Sequence, residues 1–145
     1  MATVNVYLTF NGNTEEAFNF YKSVFGGEFT YMGRFKDMPA DENCPPPSEE
    51  EGNRIMHVSL PISKETILMA SDSTSFSGDV TFGNNFSVSI NTDNKEEADR
   101  LFNGLSVGGN IIMPMEKTFW GAYFGMFTDK FGVNWMVNFD EVLAN

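Results

Sequence analysis

Thr3-Val4-Asn5-Val6-Tyr7-Leu8-Thr9-Phe10, then Asn11-Gly12-Asn13, then Thr14 to Phe25 with Gly26-Gly27 behind it, is the stretch on which the reading of the fold turns. Residues 3–10 alternate polar and apolar side chains, the period of a strand with two different faces. Asn11-Gly12-Asn13 is turn material. Asn13 or Thr14 can cap a following helix, and Glu15 and Glu16 stand where the helix dipole favours negative charge. Ala17, Phe18, Phe20, Tyr21, Val24 and Phe25 line one helical face, and the paired glycines end it.

Outward from this strand, turn and helix, residues 28–35 read as a second strand. Residues 36–54 break the pattern: Pro39, Pro45, Pro46 and Pro47 stand among Asp37, Asp41, Glu42 and Glu49-Glu50-Glu51, an acidic loop with the length and composition of a lid. Residues 55–62 and 66–71 return to strand character around a turn at Ser63-Lys64-Glu65. A loop rich in Ser and Gly covers 72–84. The order then repeats. Residues 86–90 are a strand, and Asn94 opens a helix with Ala98, Leu101, Phe102 and Leu105 on one face. Strands follow from 111, over 122–128 and over 134–139, the last two joined through Asp129-Lys130-Phe131-Gly132. Glu15-Glu16-Ala17 recurs as Glu96-Glu97-Ala98, and Gly26-Gly27 as Gly108-Gly109. The expectation is α+β: one domain over 1–145 made of two βαβββ modules, about 3–72 and 85–140, forming a curved mixed sheet.

The composition narrows the partners. Fifteen Phe and nine Met supply a core, and no apolar run reaches the length of a membrane span. The N-terminal Met1-Ala2-Thr3 lacks a basic and then apolar leader, so the chain reads as cytoplasmic. A net charge of −11 repels a phosphate backbone, and the nine basic residues form no cluster, which argues against nucleic acid. Cys44 is the single cysteine. It has no partner for an internal disulfide, and its acidic, proline-rich setting disfavours a reactive thiolate.

Strand parity sorts the faces. Val6, Leu8 and Phe10, Val88 and Ile90, and Val133, Trp135, Val137 and Phe139 belong against the helices, where unpartnered polar groups would be costly. The other face carries Asn5, Tyr7, Ser87, Ser89, Met136 and Asn138, with His57 and Ser59 opposite Val58 and Leu60. It is polar and nearly uncharged. It reads either as a ligand-binding surface or as a solvated sheet face.

Tyr7 to Asn13, Glu15-Glu16-Ala17, Phe20 to Gly27, Met56-His57, Phe119-Trp120-Gly121 and Asp129 to Trp135 together resemble the PhnB-like branch of the glyoxalase, bleomycin-resistance and extradiol-dioxygenase superfamily. The resemblance implies the vicinal-oxygen-chelate fold, often as a homodimer, and metal ligands of His, Gln or Glu type on the first and last strands of each module. In this chain those positions fall on Asn5 or Val6, Met69 or Ala70, Ser87 or Phe86, and Met136 or Val137. Neither register supplies donors for zinc, nickel or ferrous iron at about 2 Å. Asp72, Glu116 and Asp129 are alternative donors set in strand ends and turns. A methyltransferase label carried by some of this branch implies a glycine-rich strand-to-helix turn, whereas Gly26-Gly27 and Gly108-Gly109 both follow helices.

His57 is the best titratable candidate, weak as a catalyst because no orienting carboxylate is evident; a structural role and ligand contact are the competing readings. Tyr7 offers a phenol to a ligand or stands as wall. Trp120 is a rim or dimer contact, or core. The leading expectation is a metal-independent small-molecule binding protein with neither cofactor nor metal. Its ligand surface includes Asn5, Tyr7, His57, Ser59, Ser87, Ser89, Trp120, Met136 and Asn138. The alternatives are a lyase, isomerase or dioxygenase-like enzyme using a non-standard metal site or His57 as acid or base, and a purely structural homodimer.

Overall fold

A computed structural model of the chain describes residues 1–39, 43 and 46–141, divided between two units, Met1–Thr81 and Phe82–Asn145. In the first unit β1 (Val6–Phe10) leads into α1 (Thr14–Phe25). There follow β2 (Tyr31–Arg34), a 3-10 turn at Phe35–Asp37, the one-turn helix α2 (Glu49–Gly52), β3 (Ile55–Pro61) and β4 (Ile67–Asp72). The sheet order is β1-β4-β3-β2, with β1 parallel to β4 and the other pairs antiparallel. The second unit repeats the plan with β5 (Val88–Asn91), α3 (Lys95–Leu105), β6 (Asn110–Lys117), β7 (Ala122–Thr128) and β8 (Asn134–Asp140). Its order is β5-β8-β7-β6, with β5 parallel to β8. The architecture is α+β, two βαβββ units each with a four-stranded mixed sheet.

Each helix covers the apolar face that strand parity assigned to it. Leu8, Phe10, Val58, Leu60, Leu68 and Ala70 are buried with Ala17, Phe18 and Tyr21 of α1, which packs over β3 and β4. Phe18 sits edge-on between Phe10 and Tyr21, ring centres 6.5 and 5.4 Å away. In the second unit Val88, Val133, Trp135 and Val137 are buried with Ala98, Leu101, Phe102 and Leu105. Burying each of the Val, Leu and Phe side chains among these contributes roughly 1.5–3 kcal/mol.

Two buried carboxylates tie the strands to their turns. Asp72, at the end of β4, accepts on Oδ1 from Gly12 N (3.0 Å), Thr14 N (3.0 Å) and Thr14 Oγ1 (2.6 Å), and on Oδ2 from Ile55 N (2.8 Å). Asn13 is the N-cap of α1 but its side chain makes no capping bond; the acceptor comes from Asp72 instead. Asp129 accepts from Phe131 N, Val133 N and Trp135 Nε1 at 2.8, 3.0 and 2.8 Å, organising the turn in which Gly132 takes a φ of 92°. Such an angle suits glycine and strains other residues.

Boundaries move from the sequence reading for identifiable reasons. β1 begins at Val6 rather than Thr3, because the first pair is Val6 with Leu68 and the Asn5 side chain accepts from Ile67 N at 3.1 Å. β2 is shortened to Tyr31–Arg34. The 36–54 segment is structured at both ends. Ser48 caps α2 by accepting from Glu51 N at 3.2 Å, and the spacing Ser48-Glu49-Glu50-Glu51 was a helix-start signal in the sequence. Ser75 N donates to Glu51 at 2.6 Å, which holds that carboxylate below its ordinary range. Cys44, Asp41 and Glu42 lie outside the described residues.

Candidate functional site

The face of the first sheet turned away from α1 gathers its polar groups around His57. On β1, Tyr7 is paired with Met69 of β4; Met69 is paired with Ser59 of β3, and Ser59 with Tyr31 of β2. These four side chains therefore form one row across the sheet, since directly paired residues share a face. His57 stands one step along β3, opposite Gly33. The Tyr7 phenol crosses β4 to share a hydrogen bond of 3.1 Å with His57 Nδ1, and His57 Nε2 shares one of 2.9 Å with the Ser59 hydroxyl. Three sequence candidates thus form one chain of hydrogen bonds, Tyr7–His57–Ser59.

Aromatic rings flank the imidazole. The Tyr7 ring stacks on it at 5.6 Å with 27° between planes, and the Tyr31 ring lies 5.8 Å away at 39°. Tyr31 can take this position because residue 33 is glycine. A Cβ at Gly33 would lie 2.9 Å from two ring carbons of Tyr31, closer than packed atoms approach. Tyr7 and Tyr31 are each about half exposed, at 49 and 48 per cent, so the cluster opens to solvent through its tyrosines while Ser59 is nearly covered. Sequence reasoning missed Tyr31 and Gly33, whose place depends on the pairing of β2 with β3.

Asn5 stands at the start of this face but is engaged with the Ile67 backbone and takes no part in the His57 chain. On the second sheet Ser89 is paired with Met136, Met136 with Met126, and Met126 with Met113. Three thioethers and a hydroxyl therefore form a row. Ser87 precedes β5. Asn138 donates to Asn91 and Asp140 at 3.1 and 3.0 Å, beside an open hollow of about 380 Å³ also lined by Thr92 and Asp93. Trp120, 57 per cent exposed, meets Phe119 edge-on at 5.0 Å and lies 6.4 Å from Phe124, so its core reading is set aside.

The ambiguity of register at the expected metal positions is resolved within each unit. Ala70 and Val137 are fully buried on the helix sides, leaving Met69 and Met136 on the other faces, with Asn5 and Ser87 by parity. An amide, a hydroxyl and two thioethers are poor donors for the metals of the superfamily. Asp72 and Asp129 are saturated by the bonds described above, and among the described residues no three His, Cys, Asp or Glu side chains converge. The residues present do not fit a group of that kind.

The family model described as 3-demethylubiquinone-9 3-methyltransferase matches residues 2–138. The chain belongs to this family. Protein YjdN of Escherichia coli K12 is 35% identical over 141 residues, covering 91% of each chain. The structure of protein PA1353 from Pseudomonas aeruginosa shares 42% identity with a TM-score of 0.79, covering 95% of this chain and 98% of its own. A Bacillus cereus protein whose description includes the family name and PhnB shares 28% identity with a TM-score of 0.71, covering 95% of this chain and 99% of its own. A Burkholderia phytofirmans protein of the glyoxalase/bleomycin resistance/dioxygenase family, 16% identical at a TM-score of 0.58 over 93% of this chain and 95% of its own, bears on the fold alone. The family is thus the PhnB-like one that the sequence resemblance implied, on a fold shared with glyoxalase/bleomycin-resistance proteins.

Proposed function

We propose that the chain is a small-molecule binding protein of the glyoxalase/bleomycin-resistance type that holds its ligand without a metal ion. The observation that carries this reading is the hydrogen-bonded Tyr7–His57–Ser59 chain, flanked by Tyr31 and opening to solvent through the two half-exposed tyrosines. Hydrogen-bonding groups beside aromatic surface are the usual lining of a small-ligand site. Ser89, Met136, Met126 and Phe124 offer the second unit's softer, more apolar counterpart, and thioethers adapt readily to irregular ligands. The proposal extends to a single domain over 1–145, a homodimer and a cytoplasmic setting. The dimer has support in β6, the outermost strand of its sheet, where consecutive Ile111, Ile112 and Met113 are 50, 53 and 44 per cent exposed.

Methyl transfer is not carried over from the family's description. The strand-to-helix turns, Asn11-Gly12-Asn13 and Thr92-Asp93-Asn94, hold one glycine between them, unlike a nucleotide-binding glycine-rich turn. A metabolite screen read on the resonances of the single histidine, repeated with EDTA, tests the proposal. Saturable binding at the same affinity in both conditions is expected; binding abolished by EDTA and restored by a divalent ion would overturn it.

The same hydrogen-bonded chain supports a second reading, an enzyme of lyase or isomerase type with His57 as acid or base. Mass spectrometry of the ligand after incubation separates the two, since an enzyme returns it altered.

A further inference from the structure

Both ring nitrogens of His57 are engaged, and this has a consequence for what the face can bind. A neutral imidazole carries one N–H and one lone pair. It therefore donates to one of its two hydroxyl partners and accepts from the other. The accepting hydroxyl keeps its own proton for a ligand, whereas the donating one has its proton turned to the ring. An imidazolium carries two N–H groups and no lone pair. With His57 protonated, Tyr7 and Ser59 both accept from the ring, and neither hydroxyl proton is held by it, that of the half-exposed Tyr7 or that of the nearly covered Ser59. One proton on His57 thus converts a face with one free O–H donor into a face with two, and adds a positive charge between them.

We infer that the Tyr7–His57–Ser59 face takes a small organic acid through its carboxylate and takes up one proton as it does so. The inference rests on the reading of this face as the ligand site. The groups around His57 on each element agree with it. They are Tyr7 on β1, Tyr31 and Gly33 on β2, Ser59 on β3, and Met69 on β4; Tyr7 and Tyr31 are the titratable ones, and none is a carboxylate. The charged side chains of the same strands are occupied on the helix side. Arg34 donates to Glu15 at 2.7 Å and Asp72 accepts its four bonds, so among the described residues of these four strands no carboxylate is left to balance an imidazolium, and a ligand carboxylate can do so. The Tyr7 ring, stacked at 5.6 Å, presents an electron-rich face to a cation, and the tilted Tyr31 ring lies 5.8 Å away. The net charge of −11 fits as well. Capture of a bare anion would add to that charge, whereas an anion taken with a proton leaves it unchanged.

Benzoate, with its neutral isostere benzamide, provides the probe, since its ring suits the exposed tyrosines. Calorimetry near pH 7.5 in two buffers of different ionisation heat reads the protons taken up. Benzoate is expected to bind with uptake approaching one proton, its affinity falling as pH rises, toward tenfold per pH unit where a full proton is taken up. The sole imidazole resonances move toward their protonated positions as it binds. Tyr7→Phe and Ser59→Ala, both small changes, each weaken benzoate roughly tenfold by removing one hydroxyl. His57→Gln, which keeps hydrogen bonding but cannot take a proton, removes the uptake. Benzamide binds more weakly and without uptake. Benzoate binding with no proton uptake, or benzamide binding equally well, overturns the inference and leaves the face standing as a ligand site. Failure of benzoate to move the His57 resonances at millimolar concentration overturns it too. If the metabolite screen then perturbs only residues elsewhere, the reading of the face falls with it.

Discussion

Replacing Asp72 with Asn keeps the outline of the side chain and changes one thing: an acceptor-only group becomes half donor. Asp72 is 4 per cent exposed and receives hydrogen bonds on both oxygens. The asparagine must choose. With its oxygen toward Gly12 and Thr14, its NH2 faces the Ile55 N–H that now lies 2.8 Å from Oδ2; reversed, it confronts three donors. The first arrangement costs less. It leaves the buried Ile55 N–H without an acceptor, about 1–3 kcal/mol, and removes a charge from the N-terminus of α1, about another 0.3–1 kcal/mol. The expected loss is therefore roughly 1–4 kcal/mol, and more for Asp72→Ala, which abandons every donor. Urea titration followed on the His57 resonances reads the unit concerned, since His57 and Asp72 both lie in Met1–Thr81. With a urea dependence of about 1–3 kcal/mol per molar, the midpoint should fall by roughly 1 M or more. An unchanged midpoint would refute the claim that Asp72 is a structural acceptor.

Three further outcomes follow from particular contacts. The Tyr123 hydroxyl donates to Asp99 at 2.6 Å, and that bond holds the phenol protonated, pushed up to about 12 from 10.0. The folded value is the higher one, so this contribution to stability is intact below pH 10 and is lost as pH rises toward 12; tyrosinate absorbance should show a late component, returned toward 10 by Asp99→Asn. Gly33→Ala pushes the Tyr31 ring off His57 and should weaken ligand binding several-fold while leaving helix content by circular dichroism unchanged. Ile112→Lys on β6 should shift sedimentation from dimer to monomer; an unaltered profile rejects β6 as the interface.

Much of the fold was legible because period-two alternation is a local property. Leu8 and Phe10, Val58 and Leu60, and Trp135 and Val137 all lie on the side their parity assigned. His57 and Ser59 were legible as neighbours for the same reason, being two residues apart on one strand. The Tyr7 contact was not, because β4 intervenes between β1 and β3 and only the pairing register brings the phenol across. Tyr31 depends on a strand whose pairing shifts between Gly33 and Arg34. The work of Asp72 was hidden because its donors, at residues 12, 14 and 55, are remote along the chain.

The strand order has a consequence for how the chain comes to be folded at all. In each unit the first strand of the sheet pairs with the last, Val6 beside Leu68 and Val88 beside Trp135. A nascent chain emerging from the ribosome cannot seat β1 until β4 has been synthesised, nor β5 until β8 has followed, and such distant pairings are slow to form. During that wait α1 and α3 have their apolar stripes uncovered. Each repeat therefore closes its sheet only with its last strand, and the interval before that is when its apolar surface is most open to aggregation.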